Sequence, residues 1–474
     1  MTGILTPDIC VLGAGSAGLS IAAGASQMGA ETVLIEKAAM GGDCLNYGCV
    51  PSKALLVAAK AAASHRHTAA LGVHFEAPRV DFRGVHDHVR GVIEAIAPMD
   101  SVERFEGLGV TVLRHAARFV NTREVEAGGV RVRARRFVVA TGSRPMVPPI
   151  PGLDGVDFLT NETVFGLTEL PDHLIVIGGG PIGCELGQAF RLLGARVSIV
   201  EMGAILPKDD PELVAVLRNR LRADGIKLHE GAKVVAVAQT GAEVTVEIER
   251  DGERQTIAGS TLLLAAGRAP ALDDLGLEAA GIDRDRGGLV VNRCLRTSNP
   301  RVYGAGDVAG GPQFTHMAGY HAGIVIKNAL FRLPAKVDIR ALPWVTYTAP
   351  ELAQVGLTED AARQAHGEVR ILRWPFAEND RAQAERHGSG LVKAIATPGG
   401  KILGASIVGS QAGELIQTWV LAISQGLKVG AVAQMIAPYP TLGEASKRTA
   451  GSFFLPKLFS ARTKWLVRLL ARLG

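Results

Sequence analysis

The sequence predicts an α/β protein with parallel sheets, followed by an antiparallel α+β domain. Three observations predict it: a glycine-rich turn between strand and helix that occurs twice, two near-identical strand segments downstream, and alternating strand patterns near the end of the chain. At roughly 150 residues per domain, 474 residues correspond to about three domains. Hydrophobic residues make up 47% and charged residues 20%, which excludes a disordered chain.

The repeated turn has the form G-x-G-x-x-G, and each copy follows a short apolar strand and opens a helical stretch. Its glycines are Gly13, Gly15 and Gly18 in the first copy and Gly178, Gly180 and Gly183 in the second. Each copy is followed by a strand ending in an acid, and Glu36 and Glu201 lie equally far beyond their turns. Such a turn holds a pyrophosphate at the helix N-terminus, and the acid binds a ribose diol. The doubled spacing predicts two Rossmann-like nucleotide-binding domains.

The second nucleotide-binding domain is predicted to be inserted into the first. The segments FVVATGSRP and LLLAAGRAP are near copies, and each would close one domain and return the chain to the other. Residues 243–249 alternate, as in a half-exposed strand. The predicted boundaries are 1–149 and 272–341 for the first domain, 150–271 for the second, 342–455 for the α+β domain and 456–474 for a tail.

The predicted α+β domain has no glycine fingerprint, so we expect it to build an interface rather than bind a nucleotide. WVTYT, VRILRWPF, LVKAIA and ILGASIVG have strand character, and TPGGK forms a hairpin turn between the last two. A long amphipathic helix is expected at about 413–426.

The net charge of +5 is concentrated in the tail, which leaves the rest of the chain near neutral. The pI of 9.0 therefore does not indicate a nucleic-acid partner, and an aromatic content of 5% argues against stacking on bases. In the tail, leucines at 466, 469, 470 and 473 follow helical spacing, opposite Lys464, Arg468 and Arg472. Two interpretations remain open for this basic amphipathic helix: docking on the protein's own dimer, or attachment to a membrane surface.

The start of the chain lacks the cationic leader of a secreted protein, and no apolar run reaches 18 residues. The five cysteines are an odd number in a long chain, which does not indicate a disulfide scaffold. A cytoplasmic location is therefore expected, with peripheral membrane contact through the tail as the alternative.

Cys44 and Cys49 form the candidate reactive pair. On a regular helix their spacing gives a rise of about 7.5 Å and a rotation of about 140°, whereas disulfide Cα atoms are at most about 6.8 Å apart. A disulfide therefore requires a distorted helix, which Gly48 and Pro51 allow. Cys49 would lie at a helix N-terminus one turn before Lys53, and both features favour a thiolate.

Three interpretations of the pair are open at this point: a redox-active disulfide, two free thiols, or a metal site. Zinc would need two further ligands close by, and His65 and His67 are poor candidates. We therefore predict no resident metal and favour the redox-active disulfide beside a nucleotide site.

Together these motifs resemble the FAD-dependent pyridine-nucleotide–disulfide oxidoreductases, the family of glutathione reductase, dihydrolipoamide dehydrogenase and mercuric reductase. The resemblance extends from Asp8 to about Phe454 and rests on GAGSAG, CLNYGCVPSK, ATGSRP, GGGPIGCE, AAGRAP, GAGD and PYPTLGE. It implies a homodimeric flavoprotein in which the C-terminal motif of one subunit covers the disulfide of the other.

The resemblance also implies residue roles. FAD would be bound by Gly13, Gly15, Gly18, Glu36, Lys53, Ala117, Thr141, Gly142, Asp307 and Thr315. The nicotinamide cofactor would be bound by Gly178, Gly180, Gly183, Glu201 and Gly267. The carboxylate of Glu201 would repel a 2′-phosphate, which favours NADH over NADPH.

Catalytic roles follow from the same resemblance. Cys49 would be the thiol next to the flavin and Cys44 the interchange thiol that meets substrate. Lys53 would lie near the flavin and pair with Glu185, since either charge would be costly to bury alone. Cys184, in the second fingerprint helix, is expected in the core.

The C-terminal part of the chain gives conflicting indications about the substrate. Thiol-specific members have a histidine–glutamate pair there, whereas this chain has Tyr439, and Glu444 would hold its hydroxyl or pack structurally. A tyrosine is a poor base at pH 7. Mercuric reductase is similar to this chain at that position of the motif. Mercuric reductases, however, usually end in a cysteine pair, and Cys294 is the last cysteine here. The predicted reaction is electron transfer from NADH through FAD and the disulfide to a small disulfide or a thiol-bound metal; the alternative is a dihydrolipoamide-dehydrogenase-like enzyme.

Overall fold

A computed structural model describes residues 3–473, so Met1, Thr2 and Gly474 lie outside the described part. The chain forms two compact units. The first consists of 1–202 and 228–338, and the second consists of 203–227 and 339–474. The first unit contains both glycine turns, so the boundaries at 149, 272 and 342 stay predictions.

The first part of the first unit contains nine strands and six helices. The strands are β1 (Ile4–Leu5), β2 (Ile9–Leu12), β3 (Thr32–Ile35), β4 (Val110–Leu113), β5 (Ala117–Asn121), β6 (Glu124–Ala127), β7 (Val130–Val132), β8 (Arg136–Val139) and β9 (Ser143–Pro145). The helices are α1 (Ser16–Gln27), α2 (Gly42–Asn46), α3 (Cys49–Ala63), α4 (His65–Thr68), α5 (Phe82–Ile96) and α6 (Val102–Gly107).

The next segment, to residue 270, contains the second glycine turn. Its strands are β10 (Phe158–Leu159), β11 (His173–Ile177), β12 (Arg196–Glu201), β13 (Lys227–Glu230), β14 (Lys233–Thr240), β15 (Glu243–Arg250), β16 (Glu253–Gly259), β17 (Thr261–Leu264) and β18 (Arg268–Pro270). Its helices are α7 (Pro181–Leu193) and α8 (Pro211–Ala223), and α8 belongs to the second unit. The first unit ends with α9 (Leu277–Ala280), β19 (Arg284–Asp285), β20 (Gly288–Leu289), β21 (Val302–Gly304) and α10 (Thr315–Ala329).

Two five-stranded sheets form the base of the first unit. The first has the order β21-β8-β2-β3-β4, all parallel, and the second has the order β10-β17-β11-β12-β13. Buried β-branched and leucine side chains fill both faces of the central strands, as parallel sheets require. The alternating strand predicted at 243–249 is β15, the middle strand of the antiparallel sheet β14-β15-β16.

The two near-identical segments meet in space. β9 and β18 pair antiparallel, with Arg144 opposite Ala269. The chain therefore leaves the first nucleotide-binding part and returns to it through one two-stranded ribbon, which supports the predicted insertion.

The second unit has one antiparallel sheet, in the order β22-β23-β26-β25-β24. Its elements are β22 (Pro343–Thr346), β23 (Glu351–Gly356), α11 (Glu359–His366), β24 (Arg370–Pro375), α12 (Asp380–Ala384), β25 (Leu391–Ala396), β26 (Ile402–Gly409), α13 (Ala412–Leu415), α14 (Gln417–Ser424), α15 (Val429–Gln434), α16 (Glu444–Ser452), α17 (Leu455–Leu458) and α18 (Ala461–Leu470). Sequence patterns missed β23, and the helix expected at 413–426 consists of α13 and α14, which meet at Ile416.

A buried lysine fixes α8 to this sheet. Lys393 is 3% exposed, and its ammonium lies 2.7 Å from Asp210, 2.9 Å from Glu212 and 2.8 Å from Glu359. Arg373 also binds Glu212, with N–O distances from 2.8 Å. Because a buried ammonium is tolerated only with compensating charges, these three carboxylates hold the lysine in place.

Candidate functional site

The cysteine pair lies at a break between two helices of the first unit. Cys44 is in α2, and Cys49 is the first residue of α3. A Cβ on Gly48 would lie 2.9 Å from the carboxylate of Asp43 and 3.2 Å from Cys44 Cα, so only glycine allows this close turn. The distorted helix that the spacing required is therefore present. Both cysteines are free thiols in this structure.

The two thiols differ in acidity. Cys49 reaches the surface, and the hydrogen bond from Cys44 is the largest influence lowering its pKa, to about 6. Thr315, whose hydroxyl is 3.3 Å from Cys49 Sγ, and the charge of Lys53 lower it further, against burial and Asp43. The pKa of Cys44 is raised, first by its hydrogen bond to Cys49 and then by burial. Cys49 is thus the thiolate and Cys44 the protonated thiol at neutral pH.

Lys53 and Glu185 form an ion pair of 2.8 Å between α3 and α7. The Glu185 side chain is 6% exposed and that of Lys53 is 36% exposed. Lys53 Nζ also lies 3.3 Å from Ser52 Oγ. The pair joins the helix of the reactive thiolate to the helix that follows the second glycine turn, and it holds a cation one turn beyond Cys49.

A chain of polar contacts leads from Asp43, next to Cys44, to the predicted site residue Asp307, through side chains that sequence patterns did not predict. Arg268 is 3.0 Å from Asp43 and donates from Nε to Ser143 at 2.7 Å. Ser143 in turn donates to Asp307 at 2.5 Å. Asn161 donates to Asp43 at 3.0 Å. The near-copy motifs GSRP and GRAP contain Ser143 and Arg268, and that repetition was the one signal that could have identified them.

The first glycine turn is shaped for a dinucleotide. Gly13 has φ +106°, and a Cβ there would lie 2.4 Å from the Ala140 carbonyl oxygen. At Gly15 a Cβ would meet no atom nearer than 4.0 Å, so the α1 N-terminus is open to a ligand. Glu36 accepts from the Ala14 amide at 2.6 Å and lies beside that opening. These features fit the FAD pyrophosphate and ribose.

The second glycine turn repeats this geometry. Gly178 has φ +115° and a Cβ there would lie 2.3 Å from the Ala265 carbonyl oxygen, while space around Gly180 is open. Glu201 accepts from the Gly179 amide at 2.7 Å, as Glu36 does in the first turn. A Cβ on Gly183 would lie 1.9 Å from the Gly178 carbonyl oxygen, so this glycine brings helix and strand together. The site fits a second dinucleotide.

The other predicted cofactor-binding residues all lie in the first unit. Thr141 donates to the Ala271 carbonyl at 2.6 Å, and Gly142 has φ +73°. Burial raises the pKa of Asp307, against its hydrogen bond from Ser143. The remaining predicted residues are Ala117 at the start of β5, Thr315 at the start of α10 and Gly267, φ +125°, before β18.

Two side chains that could have been reactive have packing roles. Cys184 is fully buried, and its thiol donates to the Gly179 carbonyl at 3.4 Å, as expected of a core residue. His321 is also buried, and its Nδ1 accepts from the Gly306 amide at 3.2 Å. Burial lowers the pKa of His321 to about 4, so it stays neutral.

The C-terminal motif lies in the second unit, and its partners differ from the expectation. Tyr439 is 70% exposed and donates to Asp380 at 2.7 Å, which raises the pKa of the tyrosine. Glu444 does not hold this hydroxyl, because it accepts instead from Arg448 one helical turn later, at 2.9 Å. Of the two roles expected of Glu444, holding the tyrosine hydroxyl is not seen, and the structural role remains, because an i,i+4 arginine on α16 engages that carboxylate.

Family models match both parts of the chain. Residues 7–322 match a pyridine nucleotide-disulphide oxidoreductase model, and residues 342–450 match the dimerisation domain of the same family. The dimerisation-domain match supports a homodimer. Among the described residues, no helix is both long and apolar enough to cross a membrane.

Named proteins similar to this chain include members of two enzyme groups. The chain is 36% identical to mercuric reductase of Streptomyces lividans, over 94% of this chain and 96% of the relative. It is 36% identical to mercuric reductase of Bacillus cereus, over 94% and 71%. It is 38% identical to dihydrolipoyl dehydrogenase of Thermus scotoductus, over 94% and 97%.

Two solved structures share the fold. LpdA from Mycobacterium tuberculosis has a TM-score of 0.86 at 28% identity, over 94% of this chain and 99% of that one. The HOCl-induced flavoprotein disulfide reductase RclA from Escherichia coli has a TM-score of 0.83 at 27% identity, over 94% and 99%. Both glycine turns, the cysteine pair and these matches lead to one conclusion: the chain belongs to the FAD-dependent pyridine nucleotide-disulphide oxidoreductases, enzymes that also use NAD(P)H.

Proposed function

We propose that this flavoprotein disulfide reductase uses NADH to reduce an acceptor at Cys44 and Cys49, with a soft, thiol-binding metal ion as the preferred acceptor. Bound FAD supplies the two-electron carrier between nicotinamide and the cysteine pair. The observation that supports a metal acceptor most directly is the Tyr439–Asp380 hydrogen bond. A tyrosine whose proton is held by a carboxylate cannot remove a proton from an incoming dithiol at neutral pH.

The cysteine pair suits such an ion. The Cys49 thiolate is a soft ligand, and Cys44, which is half-buried, becomes a second one when it loses its proton. When the dithiolate gives two electrons to a bound mercuric ion, the S–S bond forms and the metal leaves as the neutral atom. At neutral pH Cys49 is already a thiolate, so the one proton released on metal binding comes from Cys44. The metal is substrate in this proposal, and the mercuric reductases among the relatives, together with a Cu(II) complex of RclA, support the choice.

The experiment is an NADH-oxidation screen of the FAD-loaded protein with mercuric ion, cupric ion, lipoamide, glutathione disulfide and quinones. We expect a metal ion to give the highest kcat/KM. A Cys10→Ser variant serves as control, since Cys10 is buried outside the site. Faster turnover with lipoamide than with either metal would contradict the proposal.

A dihydrolipoamide-dehydrogenase-like activity is the second candidate. The 38% identity to dihydrolipoyl dehydrogenase of Thermus scotoductus favours it. It requires a base for the incoming dithiol, so oxidation of dihydrolipoamide by NAD should be slow at pH 7 and rise toward alkaline pH. A fast rate at pH 7 would favour this candidate over the metal reductase.

We further propose NADH rather than NADPH as the donor. The Glu201 carboxylate lies at the end of β12, hydrogen-bonded to the second glycine turn, where a 2′-phosphate would meet like charge. NADH should have the higher kcat/KM by about tenfold, equivalent to about 1.4 kcal/mol. A Glu201→Gln variant should lower the ratio of kcat/KM for NADH to kcat/KM for NADPH. Equal use of both donors by the wild type would refute the proposal.

A further inference from the structure

The last helix of the second unit leaves its apolar side uncovered. α18 spans Ala461–Leu470, and none of its residues is buried. Trp465 is 62% exposed, Leu469 is 42% exposed and Leu470 is 53% exposed. An amphipathic helix of a globular protein ordinarily packs its apolar stripe on a core. This stripe therefore needs a partner outside its own unit.

Most apolar residues and cations of α18 occupy different sides, and the exception is Arg462, which shares the apolar side four residues before Leu466. Leu466, Leu469 and Leu470 follow helical i, i+3, i+4 spacing, and exposed Leu473 continues it. Lys464 and Arg468 are four residues apart and share the other side. Trp465, between the two sides, has an apolar ring and a polar N–H, the combination that suits a membrane–water boundary.

Charge complementarity decides between partners. From Ala445 to Gly474 the sequence contains seven lysines and arginines and no acid: Lys447, Arg448, Lys457, Arg462, Lys464, Arg468 and Arg472. Two copies of this segment would therefore repel each other and could not pair their charges. Arg448 is already paired with Glu444, whereas a surface of anionic headgroups would attract the cations of α18 and the residues after it.

We propose that α18 lies flat on anionic lipid bilayers, with its leucines and Trp465 at the acyl boundary and its cations among the headgroups. At 1.5 Å per residue a ten-residue helix measures about 15 Å, half of the roughly 30 Å hydrocarbon core. It can therefore lie in the interface but not span it. Leu458 and Phe459, just before the helix in the sequence, are also exposed. This proposal does not depend on the electron acceptor.

The test is flotation of the FAD-loaded full chain with phosphatidylcholine vesicles, with and without 30 mol% phosphatidylglycerol. We expect at least tenfold more bound protein on the anionic vesicles, and loss of that binding in 0.5 M salt. Two variants address the two sides of the helix: Leu466→Glu/Leu470→Glu and Arg468→Glu/Arg472→Glu. Each should lower binding at least tenfold while NADH turnover stays unchanged. The matched control Arg123→Glu/Arg286→Glu alters exposed arginines elsewhere by the same charge and should bind like the wild type.

Fluorescence gives an independent measurement. Trp465 emission should shift to the blue on anionic vesicles, and Trp465→Phe should abolish the shift although three other tryptophans remain. Failure of the wild type to float with anionic vesicles would overturn the proposal. So would equal binding by the wild type and both helix variants. Conversion of a dimer to monomers by Leu466→Glu/Leu470→Glu without lipid would instead assign the helix to a second copy, and would also overturn it.

Discussion

The thiol site of the first unit and the tyrosine site of the second hold their protons in opposite ways. Around Cys49 the hydrogen bonds from Cys44 and Thr315 and the charge of Lys53 outweigh burial and Asp43, so the pKa of Cys49 falls to about 6. Around Tyr439 the neighbour is Asp380, an acceptor with negative charge, so the tyrosine pKa rises. Donors stabilise an anion and acceptors stabilise the protonated form. One protein can therefore obtain a nucleophile by placing donors and positive charge beside a thiol, and a proton donor by placing a carboxylate beside a tyrosine.

The largest effect should come from removing one thiol. Cys44→Ser leaves no dithiol, so NADH-driven turnover with each acceptor should fall by at least about a thousandfold. The Cys49 thiolate should remain and give the FAD-loaded protein a long-wavelength charge-transfer band. Visible spectra from pH 6 to 9 and steady-state rates measure both effects. Cys10→Ser should change neither, and a Cys44→Ser spectrum without the band would contradict the order of the two thiols.

The tyrosine should matter less than the thiols. Tyr439→Phe removes the proton that Asp380 holds, and acceptor reduction should fall by about tenfold to a thousandfold. Tyr320→Phe is the matched control, since that hydroxyl accepts a hydrogen bond from the backbone amide of Asp338 within the first unit. Full activity of Tyr439→Phe with all acceptors would mean that the tyrosine only packs and neither donates a proton nor binds the acceptor.

Replacing Tyr439 with a base should favour oxidation of a dithiol by NAD over NADH-driven reduction of an acceptor. An imidazole titrates near neutrality, so Tyr439→His should raise dihydrolipoamide oxidation at pH 7, by roughly tenfold. The measurement is NAD reduction by dihydrolipoamide across pH 6–9, with Tyr439→Phe as the control without a titrating group. If Tyr439→His oxidises dihydrolipoamide no faster than Tyr439→Phe at pH 7, the lack of a base at position 439 does not limit thiol oxidation.

The smallest effect should be a shift in pH dependence. The lowered pKa of Cys49 means that the thiolate is present above about pH 6 and is lost as pH falls through that value. Lys53→Gln removes a cation that stabilises the anion, so the midpoint should move to higher pH. Ultraviolet thiolate absorbance of the reduced protein measures it, with Lys60→Gln on the same helix as control. A downward or absent shift with Lys53→Gln would show that the lysine does not act on the thiol.

The sequence alone determined the parts of this protein that depend on local backbone geometry. Only glycine tolerates the φ of Gly13 and Gly178 and the contact at Gly48, so the two nucleotide turns and the helix break at the cysteines are written in residue type and spacing. The strand alternation of β15 is equally local. The pairing of Lys53 with Glu185 was anticipated through family resemblance, because its partners are 132 residues apart.

Tertiary structure decided which polar groups meet. Asp43 could have paired with any exposed arginine, and the fold places it beside Arg268. Likewise the Tyr439 hydroxyl, one of whose expected partners was Glu444, donates instead to Asp380, 59 residues earlier in the chain. Lys393 and its three carboxylates are a further example. Two of the carboxylates lie at the start of α8, which precedes the strand of Lys393, β25, by more than 160 residues. Charged side chains are numerous and interchangeable in sequence, and their choice of partner depends on long-range packing that no local spacing records.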